Sequence, residues 1–122
     1  MKNQKVWIIT GGIMGFLAVA LGAFGTHGLK DSLPNELMEV YKTGVLYHLV
    51  HSVAILAIGL SGNSRYYVSA MLFSIGIILF SFSLYAYAIT AVTAFAIITP
   101  IGGLSFLAGW LWLVIKAVKS PK

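Results

Sequence analysis

The chain has 122 residues, 59% hydrophobic and 9% charged, with a net charge of +5 and a mean hydropathy of +0.93. A soluble domain carries about 25% charged residues, so this composition excludes a water-soluble globule. There is no cysteine, which excludes disulfides, thiolate catalysis and Cys-based metal sites.

Four apolar runs dominate the chain, at roughly 6–26, 44–61, 66–89 and 94–115. Each is close to the ~20 residues that a helix needs to cross a bilayer. No Asp, Glu, Lys or Arg falls inside a run, as hydrocarbon requires, because an ionised group there costs several kcal/mol. The pattern predicts an all-α fold: one integral membrane bundle of four transmembrane helices. The first run follows Lys2 and Lys5 like a signal peptide, but it exceeds the about 7–15 residues of a signal core. It is expected to remain as a span.

In the first span, Gly11, Gly15, Ala18, Gly22 and Gly25 recur every three or four residues and share one helix face. Such stripes let a neighbouring backbone come close in membranes. GGIMG has neither the Lys nor the Ser/Thr of a phosphate-binding loop. The connector 27–43 is expected outside the membrane and holds Asp31, Glu36 and Glu39, all the acids of the chain. Pro34 suits a first helical turn, with Ser32 near the cap and Glu36 favourable at the N-terminal dipole. The second helix should therefore begin near Pro34, well before the hydrocarbon. Glu39 and Lys42 should pair on its solvated start.

The second span carries Gly44, His48, Ser52 and Gly59 on one face, with Tyr47 and His51 on its flank. A face of small and polar residues should point into the bundle. The stripe of the first span is expected to meet it through Gly44, Ser52 and Gly59. SGNSR, residues 61–65, reads as a tight polar turn. The third span places Ser69, Gly76 and Ser83 on one face, and the fourth carries Pro100 near its start, then Gly102, Gly103 and Gly109.

Lys2, Lys5, Arg65, Lys116, Lys119 and Lys122 fall on one side of such a bundle, and only Lys30 and Lys42 on the other. Both termini should then be cytoplasmic. This placement follows a membrane rule and not a basic soluble face, so no nucleic-acid partner is expected. Trp7, Tyr66, Tyr67, Trp110 and Trp112 should line the inner interface, and Tyr41, Tyr47, Tyr85 and Tyr87 the outer one.

GAFGTHGL (Gly22–Leu29) and YKTGVLYHLVHS (Tyr41–Ser52) together give a resemblance that covers essentially the whole chain. It resembles the YwdK/YgdD-like family of small bacterial membrane proteins. The resemblance implies a four-helix, multi-pass protein of the plasma (inner) membrane. It implies no activity and no ligand.

The candidate polar site is His27, His48 and His51 with Tyr47 and Ser52, near the outer ends of the first two spans. Three imidazoles are a possible Zn or Cu ligand set, with Glu36 or Glu39 as outer acceptors for His27. The plainer reading has each histidine neutral and hydrogen-bonded to a carbonyl, Tyr or Ser within the bundle. No cofactor is expected. With no carboxylate inside a span, and no oxyanion hole beside Ser52 or Ser83, the chain is not expected to be an enzyme. Small multidrug exporters resemble it in size only: they use a Glu in the first helix, and here that helix has no acid. The expected role is a non-enzymatic membrane module that acts through helix packing with lipid, a second copy or another membrane protein. The alternative is a carrier or sensor of protons or a metal ion, built on the histidines.

Overall fold

The computed structural model describes residues 2–121. Lys122, one of the charges used to orient the chain, lies outside them. Helix α1 (Lys2–Gly28) is followed by α2 (Asn35–Ser61), a 3₁₀ turn (Ser64–Tyr66), α3 (Tyr67–Gly76), a π-helical turn (Ile77–Ser81), α4 (Phe82–Thr90) and α5 (Thr93–Lys119). There is no strand among the described residues. The 3₁₀ turn, α3, the π turn and α4 form one rod, so four rods are long and apolar enough to cross a bilayer.

The second rod begins one residue after Pro34, which takes an extended conformation at the cap, without a side-chain cap bond. This corrects the expected start in one detail: Pro34 is the cap and sits outside the first turn, with Ser32 two residues before it. Proline suits the position because it has no N–H to lose. Glu36 lies in the first turn, where the helix dipole favours an acid. Gly62 ends the helix at φ 67° and its N–H bonds the Gly59 carbonyl. The Asn63 side chain then accepts from the Arg65 N–H at 3.1 Å, closing the polar turn that the sequence marks.

The rods run up and down but do not form a square. The second and third rods pack along their length, α1 lies against α2, and α5 lies against α3, the π turn and α4. Helices α1 and α5 flank this central pair, and they turn most of their apolar surface outward. The core is therefore centred on the second and third rods. Ile55, Ile58, Ala70, Phe73, Ile77 and Phe106 fill its middle, and Tyr41, Tyr85 and Ala88 fill the end beside the α1–α2 connector.

Small residues set the close approaches. A Cβ on Gly11 would lie 2.7 Å from the Leu56 nitrogen, and one on Gly59 2.8 Å from the Ile8 nitrogen. Here the α1 and α2 backbones touch, as the stripe predicts. Gly15 faces the Ser52 Cβ at an ordinary 3.9 Å, and Gly22 faces Val45 Cγ1 at 3.3 Å. Gly44 is a correction: it receives the Tyr85 ring and the Ser81 carbonyl, not α1. Gly44 lies on the other flank of α2, where the third rod packs.

Ser69, Gly76 and Ser83 all face α5. The Ser69 hydroxyl donates to the Gly109 carbonyl at 2.7 Å, Gly76 makes room for the Phe106 ring, and Ser83 shares a hydrogen bond with Thr99 at 2.6 Å. The π turn lies between Gly76 and Ser83 and has no sign in the sequence. Its backbone at Leu79 and Phe80 lies directly against Gly102 of α5.

Candidate functional site

The polar residues of α2 divide into two separate constellations. At the connector end, the Tyr41 hydroxyl donates to the Leu21 carbonyl of α1. Its ring packs against Gly25 and lies 5.1 Å from the Tyr85 ring. The Tyr85 hydroxyl meets His48 Nδ1 at 2.8 Å. His48 is fully buried, with its ring edge toward Phe82. Its Nε2 has no hydrogen-bond partner, and neither has the buried Ser81 hydroxyl.

One turn further into the membrane, the His51 ring stacks on Phe106 with centroids 3.7 Å apart. His51 Nδ1 meets the Tyr47 carbonyl at 2.7 Å, and the Trp110 indole donates to Nε2 at 3.0 Å. These partners fix the proton. A carbonyl can only accept and an indole N–H can only donate, so His51 is the neutral Nδ1–H tautomer. Neither nitrogen is left for another ligand.

The remaining candidates fall elsewhere. Ser52 donates to the His48 carbonyl at 2.7 Å, within its own helix, and activates nothing. Tyr47 is partly exposed and packs its ring 4.8 Å from Phe80. His27 is exposed and lines a groove between α1 and α2 beside Tyr41 and Lys42. The expected shared site of His27 with His48 and His51 is not formed. Among the described residues, no three of His, Cys, Asp and Glu are placed to hold a metal ion. The reason is rotational: His48 points to α4, His51 points to α5, and His27 ends α1 on the outer flank. Glu39 pairs with Lys42 at 3.8 Å as the spacing predicts.

Three aromatic placements also change. Tyr41 and Tyr85 are buried in the core and do not form an outer belt. Trp110 reaches inward to His51 and packs 4.7 Å from Phe73. The available signal for Trp110 was its N–H, which needs an acceptor once it is away from water. At the end opposite the connector, Trp7 lies beside Tyr67, Arg65 over Tyr66 and Lys116 over Trp112.

Side-chain hydrogen bonds thus join α2 to α1, α2 to α4, α2 to α5, and α5 to both α3 and α4. In hydrocarbon such bonds act as interhelical ties.

The family model described as Protein of unknown function (DUF423) matches residues 21–103. The UPF0382 membrane protein YwdK of Bacillus subtilis (strain 168) is 44% identical over 121 residues, covering 95% of this chain and 98% of the relative. A UPF0382 membrane protein of Staphylococcus epidermidis is 43% identical over 119 residues, covering 95% and 98%. The UPF0382 inner membrane protein YgdD of Escherichia coli (strain K12) is 38% identical over 121 residues, covering 96% and 92%. No solved structure matches the chain. With four membrane-length helices and relatives of this identity over nearly its whole length, the chain belongs to the UPF0382 (DUF423) family and is a multi-pass membrane protein.

Proposed function

We propose that the chain is a non-enzymatic membrane module that works by packing its outward helix faces against lipid or another membrane protein. The observation that carries this reading is how most of the buried polar groups are used, with only His48 Nε2 and the Ser81 hydroxyl left without a partner among the described residues. Both nitrogens of His51 are engaged, Tyr85 holds His48, and Ser52 serves its own helix. Helices α1 and α5, which flank the central pair, keep broad apolar faces such as Phe16, Val19, Leu104 and Leu107 outward. The working surface is then the outside of the bundle.

Plasma-membrane residence is part of the reading. It is supported by the name of YgdD as an inner membrane protein. Cytoplasmic termini are supported by the Lys/Arg asymmetry. Native mass spectrometry of protein released from membranes tests the role. Retained lipid or a retained protein partner is expected, with no metal mass. A stoichiometric metal that is lost in His48→Asn would overturn the reading in favour of a histidine-based ion site.

A further inference from the structure

The groove between α1 and α2 opens at the connector end into a hollow of about 610 Å³. That is within the about 300–1,000 Å³ of small-molecule sites. Its wall changes character along the membrane normal. Val19, Ala23, Leu46 and Leu49 line the deeper part, and Thr26, His27 and Lys42 line the mouth. A second hollow of about 300 Å³ adjoins it, shares Thr26 and Lys42, and adds Lys30 and Asn35. An apolar trough therefore runs out into a rim that carries two lysines, a hydroxyl and an amide.

We propose that this groove binds an anionic phospholipid, with an acyl chain in the trough and the headgroup phosphate against Lys30 and Lys42. The proposal rests on the reading of the chain as a module that works through its outward faces, and names one partner for it. Charge complementarity decides the occupant. None of Asp31, Glu36 and Glu39 lines either hollow. The only ion pair among the described residues is Lys42–Glu39, at 3.8 Å between exposed side chains, which holds the lysine weakly. Lys30 has no carboxylate partner. A phospholipid has both parts in the order that the groove presents them: hydrocarbon at depth, phosphate at the interface. Basic pockets between membrane helices recognise acidic headgroups by the same chemistry, and lysine stems reach along apolar surface to the headgroup level.

The test uses the full chain in mild detergent, titrated with phosphatidylglycerol or phosphatidylcholine and read by native mass spectrometry. The native protein should bind phosphatidylglycerol about 10-fold more tightly than phosphatidylcholine, as two interfacial lysines allow. Lys30→Gln with Lys42→Gln should remove that preference; both side chains are exposed, so the fold is unaffected. Ala23→Phe, which fills the trough, should weaken both lipids together. Native phosphatidylglycerol affinity in the double lysine variant or in Ala23→Phe would overturn the proposal. So would equal protection of the protein against heat by inorganic phosphate alone. If the acidic preference is absent while phosphatidylcholine or a protein partner is still retained, this site falls and the broader reading stands. Retention of neither lipid nor protein removes both.

Discussion

Trp110 Nε1 donates to His51 Nε2 at 3.0 Å, and this bond ties α5 to α2 without backbone packing between them. The His51 ring lies flat on Phe106, which like Trp110 belongs to α5. A polar residue deep in the second span is thus satisfied by an aromatic of the fourth, whose N–H also needs a partner.

Trp110→Phe should destabilise the bundle by about 1–3 kcal/mol, because it leaves His51 Nε2 unpaired while conserving most of the packing. Denaturation in detergent micelles measures this. Nitrogen chemical shifts of labelled histidine should report the Nδ1–H tautomer of His51 in the native protein. A protonated Nε2 would contradict the hydrogen-bond assignment.

The His48–Tyr85 bond predicts coupling between α2 and α4. Interhelical hydrogen bonds in membrane proteins couple by ~0.6 kcal/mol on average. A double-mutant cycle with His48→Leu and Tyr85→Phe, each of which removes the bond, should return a coupling of about that size. His48→Leu should be tolerated less well than His48→Asn, since Asn still offers an acceptor to the Tyr85 hydroxyl. An uncoupled cycle would mean that the pair does not tie the helices.

Glycines of α1 give a comparison with an internal control. Gly11→Ala should cost ~1–3 kcal/mol by overpacking, because the new methyl meets the Leu56 backbone. Gly59→Ala should do the same at Ile8. Gly12 has nothing within 4 Å of a Cβ, so Gly12→Ala should leave thermal stability unchanged or slightly raised. Equal responses at Gly11 and Gly12 would show that α1 and α2 do not touch there.

Ala91 ends α4 in the left-handed region at φ 60°, with its N–H on the Tyr87 carbonyl at 2.7 Å. A side chain in that conformation costs about 1–2 kcal/mol, and glycine removes the penalty at the expense of some unfolded-state entropy. Ala91→Gly should therefore raise stability by about 0.5 kcal/mol, read as a higher melting temperature in detergent.

Topology is open to direct labelling because the chain has no cysteine. A single Cys in place of Ser32 should react with an impermeant reagent from the outside of intact cells, as the positive-inside rule requires. Reaction only after the cytoplasmic face is exposed would reverse the orientation.

The sequence by itself determined the four helices and what may lie inside them. Hydrocarbon forces backbone hydrogen bonds inward and ionised groups outward, so apolar runs and the positions of Lys42, Arg65 and Lys116 are enough to read the spans. It also determined which faces are small and polar, since the 3.6-residue period puts Gly11 with Gly15, and His48 with Ser52, on one side. Partnership was decided only in three dimensions. A helix face says which way His48 and His51 lean but not which neighbour stands there. The packing of the rods gave one to Tyr85 and the other to Trp110, and left His27 outside. The π turn adds to this, because one extra residue per turn rotates everything after Ser81, and no local pattern in IILFS announces it. Gly44 was legible as a close-approach position; that it receives Tyr85, and not α1, depended on which rods the chain packs together.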